Sequence, residues 1–177
     1  MSAIAQGINQ ETVMALLQAV PDPEIPVVSI EELGILRAVH IQGESVEVVI
    51  TPTYSGCPAM QAIEEDIVTA LHAAGISKVT VRTVLAPAWS SDWITETGRN
   101  KLHSYGIAPP QPALAASTQV LRFMRIPSSV KNAAGTPACP HCGSTQTELL
   151  SEFGSTSCKA LYRCITCREP FDYFKPY

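Results

Sequence analysis

The sequence predicts an α+β chain in two parts, a small helix-and-sheet sandwich followed by a small cysteine-built β ribbon, and two observations predict it. Over residues 1–108 the apolar positions switch between helical spacing and period-two alternation in the order helix, hairpin, helix, strand, helix. Five of the six cysteines lie in the last 39 residues, four of them as paired Cys-x-x-Cys. The length, 177 residues, leaves room for one ordinary domain and a small appendage, and a 46% hydrophobic content is enough to build a core.

Asn9 or Gln10 opens the first expected helix, whose apolar face is Val13, Leu16, Leu17 and Val20 and which Pro21 ends. Prolines force the next segment, Asp22-Pro23-Glu24-Ile25-Pro26, into turn and extended geometry. Its two carboxylates are either solvated turn residues or face a loop elsewhere. Residues 27–30 and 35–41 read as strands, the second pairing through Gln42-Gly43-Glu44 with a strand over 46–51. His40, in the alternating part, reads as an ordinary strand residue.

Residues 51–66 are where the chain keeps its most reactive pattern. Pro52 stops the strand, Gly56 permits a bend, and Met60, Ile63, Ile67, Ala70 and Leu71 recur at helical spacing, with Pro58 at the first helical position and Cys57 at the N-cap. Two readings of Cys57 stand. Cysteine is a frequent small core residue; at a helix start, however, exposed amides and the macrodipole favour the thiolate, lower the pKa and suit a nucleophile or metal ligand. His72 follows near the helix C-terminus, Gly75 closes the turn, and 78–85 alternates as a further strand.

Ala86-Pro87-Ala88-Trp89-Ser90-Ser91-Asp92-Trp93 leads into a last helix, capped by Ser91 or Asp92 and ended by Gly106, with Ile94, Leu102 and Tyr105 facing inward. Trp89 and Trp93 are core or rim aromatics, or else a partner-docking patch. Residues 109–138 read as a Pro/Ala-rich linker with a candidate strand over 119–126 that belongs to either neighbour.

The ribbon over 139–177 rests on Cys139-Pro140-His141-Cys142-Gly143 and, 21 intervening residues later, Cys164-Ile165-Thr166-Cys167. Each Cys-x-x-Cys turn aims two thiolates at one ion, and two such turns complete a tetrahedron. A closed site of Cys139, Cys142, Cys164 and Cys167 is structural, with zinc expected and iron as its competitor. Short strands are expected over 145–151, 160–163 and 171–174, with Tyr162, Phe171 and Tyr173 covering the site. So small a segment draws much of its stability from metal binding. Cys158 is a spare buried thiol or an alternative ligand, and His141 points outward.

Composition excludes several classes. Residues 1–108 carry 12 acidic and five basic side chains, and the whole chain a net charge of -4, so the basic stripe that phosphate binding requires is missing and nucleic acid is not expected as a partner. The first residues lack the pattern of a signal peptide and no apolar run is long enough to span a bilayer, which predicts a cytoplasmic protein that does not engage a membrane.

Taken together, Asp22-Pro23-Glu24-Ile25-Pro26, Leu33-Gly34, Gly56-Cys57-Pro58 and Pro87-Ala88-Trp89 to Trp93 resemble the SufT-like iron-sulfur maturation domain. The ribbon, with Cys158-Lys159-Ala160-Leu161-Tyr162-Arg163-Cys164 and Glu169-Pro170-Phe171-Asp172-Tyr173-Phe174-Lys175, resembles the tail of one branch, the PaaD-like subunits of the bacterial phenylacetyl-CoA epoxidase system. The likeness spans nearly the whole chain. It departs at Glu32, where Asp is expected before Leu33-Gly34, and at Arg168, where Gly is expected after the second knuckle.

The resemblance implies an iron-sulfur assembly fold and an accessory, maturation role in aerobic phenylacetate breakdown, an aromatic-compound degradation served by a diiron ring epoxidase and an iron-sulfur flavin reductase. On this reading Cys57 transiently holds iron or a cluster, Asp22 and Glu24 shape its surroundings, and the oxygenase or reductase subunits are the protein partners. Homo-oligomerisation is left open, and no catalytic activity of the chain itself is implied. Two other classes stand beside it: a structural oxygenase subunit with an inert Cys57, and a thiol enzyme using Cys57 with His40, His72 or His103 approaching as base.

Overall fold

The structure is a computed structural model that describes residues 9–111 and 136–177. The described residues form two units, one running to Lys101 and including Tyr177, the other spanning Leu102–Pro176. The division falls ahead of the position 108 suggested by the sequence. The candidate strand over 119–126, and the linker beyond Gln111 up to residue 135, lie outside the described residues.

In the first unit, α1 (Gln10–Gln18) starts where Asn9 accepts the Thr12 amide at 2.7 Å, an N-cap that satisfies one of the orphan donors of the first turn. The helix stops at the Ala19 C-cap, so Pro21 lies beyond its end. Val13, Leu17 and Val20 are buried, while Leu16 is only half so.

Residues 27–30 do not form the strand their apolar character suggests. The Asp22 carboxylate accepts the amides of Glu24 and Ile25 at 2.9 and 2.8 Å, and Ser29 and Glu32 cap each other reciprocally: Glu32 Oε2 accepts the Ser29 amide at 2.9 Å and Ser29 Oγ the Glu32 amide at 3.2 Å. Side chains that bond the local backbone offer it turns instead of a ladder. The segment therefore keeps a single bridge, Pro21 with Ser29, while Ile25, Val28 and Ile30 still reach the core.

Strands β1 (Leu36–Gln42) and β2 (Ser45–Ile50) form the expected hairpin, in antiparallel register from Gln42 opposite Ser45 to Leu36 opposite Ile50 with a bulge between Leu36 and Ala38. Helix α2 (Ala59–Ala73) then crosses over to β3 (Lys78–Thr83), which pairs with β2 in parallel, giving the order β1-β2-β3. α1 packs on β1, α2 on β3, and the helices on each other. Ala59, Ile63, Ile67 and Leu71, spaced four apart, form the buried face of α2, and with Val13, Leu17, Val48 and Ile50 they make the core.

The last helix is broken in two. Ser91–Trp93 is a 3-10 turn, and α3 (Glu96–Ser104) begins afresh after Thr95, whose hydroxyl accepts the Gly98 amide at 3.0 Å. Thr95 also donates its own amide to Glu32 O, so the break tethers the segment to the Ser29–Glu32 turn. Ile94 and Leu102 are buried as expected, whereas Tyr105 is 55% exposed.

The second unit is a four-stranded sheet of order β4-β7-β6-β5, with β5 (Thr147–Ser151), β6 (Lys159–Cys164) and β7 (Pro170–Phe174) antiparallel in sequence neighbours. Its surprise is β4 (Ile107–Ala108), which pairs with β7 in parallel. Two residues are too few to show period-two alternation, and Gly106 and the following prolines make them read as a helix end and a linker.

Candidate functional site and metal centre

The Cys57 turn grows out of the end of β2. Tyr54-Ser55-Gly56-Cys57 closes with the Cys57 amide donating to Tyr54 O at 3.2 Å, and Gly56 takes φ +90, a backbone conformation that costs a side chain of L configuration. Pro58, not Cys57, is the N-cap of α2, so the thiol stands one residue outside the helix, half-buried.

Its ionisation is opposite to the expectation. Burial, the largest cause, pushes the Cys57 thiol up from its ordinary value; the Ala59 amide opposes this, the Glu24 and Asp22 carboxylates add to it, and the Tyr54 side chain opposes it as a hydrogen-bond partner. The amide at the helix start does act on the sulfur, but desolvation together with two negative charges outweighs it. The expected lowered pKa is thus corrected: burial and the two carboxylates favour the protonated thiol.

The 22–26 turn and the Cys57 loop are nevertheless brought together, since both carboxylates are close enough to act on the sulfur. Asp22 is 5% exposed and fixed by the amides it accepts, and Glu24 is half-buried. The three side chains do not converge on one point: among the described residues, the single cluster of three or more His, Cys, Asp or Glu side chains with ligand atoms within reach of one ion is Cys139, Cys142, Cys164 and Cys167. Tyr54 is a residue that sequence reasoning misses; its place three residues before Cys57, across a Gly-containing turn, is the available signal.

Those four sulfurs all lie within 4.8 Å of one another, with Cys139 to Cys167 at 3.7 Å and Cys142 to Cys164 at 3.5 Å. A tetrahedron of thiolates about 2.3 Å from a zinc-sized ion has edges of about 3.8 Å, so the donor set fits a four-coordinate metal with little adjustment. In each knuckle an amide folds back on the first cysteine: the Gly143 amide donates to Cys139 O at 2.9 Å, and the Cys167 amide to Cys164 Sγ at 3.4 Å. That amide is the main reason the Cys164 thiol is lowered to about 6, while Cys139 is pushed up, chiefly by burial. Thiols this close cannot all ionise without a cation among them.

Tyr162 stacks on Phe171, with centroids 5.9 Å apart, and meets Tyr173 edge-on at 5.5 Å; Phe171 and Tyr173 pack with Ala108, Cys139 and Cys164 in one buried cluster. The aromatic cover is therefore the expected one, with Ala108 of β4 added. His141 is exposed and outside the tetrad, and so is the buried Cys158, whose sulfur lies 3.0 Å from Thr156 Oγ1. His40 faces Glu47 at 4.0 Å.

The two units also differ in what they resemble. Residues 10–83 match the family model described as iron-sulfur cluster assembly protein, and residues 126–175 the one described as PaaD zinc beta ribbon domain. Over 163 residues the chain is 46% identical to a protein of Escherichia coli (strain K12) named as a 1,2-phenylacetyl-CoA epoxidase subunit, covering 92% of this chain and 90% of that one. The chain belongs to the PaaD family of phenylacetyl-CoA epoxidase subunits.

A further relative, an Fe-S protein maturation auxiliary factor of Porphyromonas gingivalis (strain ATCC BAA-308 / W83), is 32% identical over 90 residues, 50% of this chain and 85% of that protein. Among solved structures, a domain of unknown function from Bacillus anthracis shares 27% identity over 52% of this chain and 90% of its own, with a TM-score of 0.49. A conserved hypothetical protein from Thermotoga maritima shares 26% over 58% and 98%, with a TM-score of 0.48.

Within this PaaD-family sequence, the motif residues of the first unit have structural work as well. Leu33 O accepts the Trp89 indole N–H at 2.9 Å, and Gly34, at φ +69, lies where a Cβ would come within 2.6 Å of Trp93 Cβ. Trp89 is 6% exposed and packs as a core aromatic in the folded chain, with the Tyr177 ring against it; Trp93 is half-buried beneath the Arg37 guanidinium, 3.6 Å from its ring centroid. Among the described residues, no helix is long and apolar enough to cross a membrane.

Proposed function

We propose that this chain is an accessory factor of a phenylacetyl-CoA epoxidase in aerobic phenylacetate breakdown, assisting iron or iron-sulfur cluster assembly on an oxygenase or reductase subunit through Cys57. Membership of the PaaD family and the likeness of the first unit to an Fe-S maturation factor support the reading. The observation that carries it is the electrostatic setting of Cys57, a half-buried thiol under the influence of Asp22 and Glu24.

That setting separates cargo handling from nucleophilic catalysis. Burial and, after it, the carboxylates favour the protonated thiol, which handicaps a covalent nucleophile. An arriving iron cation reverses the balance: it displaces the thiol proton, and the two nearby negative charges then favour the cation. One thiolate whose neighbouring carboxylates do not converge on the same point leaves most of the coordination sphere to other donors, so the cargo is held in passing and a client can take it. In the ribbon, Cys139, Cys142, Cys164 and Cys167 hold a structural zinc, which supplies folding energy and no reaction step.

The test is Cys57→Ser in cells that depend on the chain for growth on phenylacetate. Serine changes little volume at a half-buried turn position, so stability of the purified protein should shift by no more than about 1 kcal/mol. Growth on phenylacetate should fall, and the oxygenase or reductase subunit should be recovered short of iron. Wild-type iron content and growth with a normally folded variant would refute the role; loss of several kcal/mol would return Cys57 to the core residues.

A further inference from the structure

The Trp89-Ser90-Ser91 segment holds a residue from far along the chain. Tyr177, which belongs to the first unit, has its main-chain carbonyl accepting the Ser91 amide at 3.1 Å and the hydroxyls of Ser90 and Ser91 at 3.3 Å each, while its own amide donates to Ser91 Oγ at 3.4 Å. Its ring meets the Trp89 indole edge-on, with centroids 6.2 Å apart and planes at 66°. We propose that Trp89, Ser90 and Ser91 form a peptide-binding subsite for an aromatic residue presented on extended chain, a site that Tyr177 occupies in cis.

Three features make this a recognition site. The bonds are reciprocal and reach the main chain of Tyr177, so they would serve any residue in that conformation, while the Trp89 face selects for an aromatic ring. The receptor side is held by contacts that do not involve Tyr177: the Trp89 indole donates to Leu33 O at 2.9 Å and the Arg99 guanidinium donates to Ser91 O at 2.6 Å, so little needs ordering when a ligand arrives. The occupant is held less firmly. Tyr177 is 46% exposed, so about half of its surface stays in water and leaving the site uncovers little apolar area. The inference is independent of the role of Cys57.

An isotope-labelled full-length chain carrying Tyr177→Ala is titrated with acetyl-Lys-Pro-Tyr-amide while the Ser91 amide and Trp89 indole resonances are followed. Saturable shifts are expected, with acetyl-Lys-Pro-Ala-amide giving none and Ser90→Ala in the same background weakening the tyrosine peptide. The wild-type chain should bind the tyrosine peptide about tenfold more weakly or worse, because a site filled in cis for nine-tenths of the time leaves a tenth of the molecules competent. Tyr177→Leu replaces Tyr177→Ala if the latter lowers the thermal midpoint. The absence of saturable shifts in a folded variant, equal response to the two peptides, or equal binding by wild type and variant overturns the proposal.

Discussion

Arg168 takes a backbone conformation that suits glycine: φ is +67, against +74 for Gly143 at the corresponding point of the first knuckle. A residue with a Cβ loses about 1–2 kcal/mol in that region. Arg168→Gly should therefore make the metal-loaded ribbon about 1 kcal/mol more stable, read as slower metal loss to a chelator and a higher denaturation midpoint. Cys57 yields a second residue-scale test. Because Glu24 helps to push its thiol up, Glu24→Gln should shift the pH profile of its alkylation, followed on the Cys57 peptide by mass spectrometry, toward lower pH; a shift upward or none would show that the carboxylate does not reach the sulfur. The sequence marks Arg168 only as a departure from an expected glycine, and it does not give the sign of the Cys57 shift. That Arg168 keeps the left-handed backbone instead of relaxing the turn is visible only in the structure, and the sign of the Cys57 shift depends on burial, a property of the folded chain.

Among the elements, the 29–34 turn is the joint of the first unit. Its Glu32 carboxylate caps Ser29, pairs with Lys101 at 2.7 Å, and its carbonyl receives the Thr95 amide. Burial works against the charged form, and Lys101 with the Ser29 amide overcome it, so the carboxyl sits below its ordinary value. A depressed acid contributes stability above its unfolded pKa and loses it as pH falls through the folded one. Wild type should therefore lose stability below about pH 4 more steeply than Glu32→Gln does, a difference read from denaturant midpoints across pH 2–6. Lys101 is half in solvent, so Lys101→Met should cost about 1 kcal/mol or less. Gly34→Ala is the harsher change. It combines a positive φ with a Cβ 2.6 Å from Trp93 Cβ, and should cost about 2–5 kcal/mol in thermal or chemical denaturation.

For the whole molecule, the two units rest on different forces, and metal removal separates them. Chelation, or Cys164→Ser, should unfold residues 139–177 and release β4 from β7, while α1, α2 and the β1-β2-β3 sheet keep a cooperative transition of their own. Amide exchange makes the reading: protection lost in β5 to β7 and at Ile107 and Ala108, retained at Ile63, Ile67 and Leu71. Protection kept throughout after exhaustive chelation would show that apolar packing alone holds the second sheet.

What the residues determined by themselves was whatever depends on short-range period and spacing: the faces of α1 and α2, the hairpin of β1 and β2, the three ribbon strands and the two knuckles. Two Cys-x-x-Cys turns carry their ligand geometry with them, so Cys139, Cys142, Cys164 and Cys167 were legible as one centre. Tertiary structure decided the rest. Residues 27–30 are apolar enough for a strand, but Asp22, Ser29 and Glu32 claim the backbone; Ile107 and Ala108 become a strand because β7 offers an edge; and Cys57 is set by burial first and, beside it, by carboxylates more than 30 positions earlier in the chain. Each of these turns on which distant groups share a space, and on how much water is left between them, a quantity that no local pattern of residues encodes.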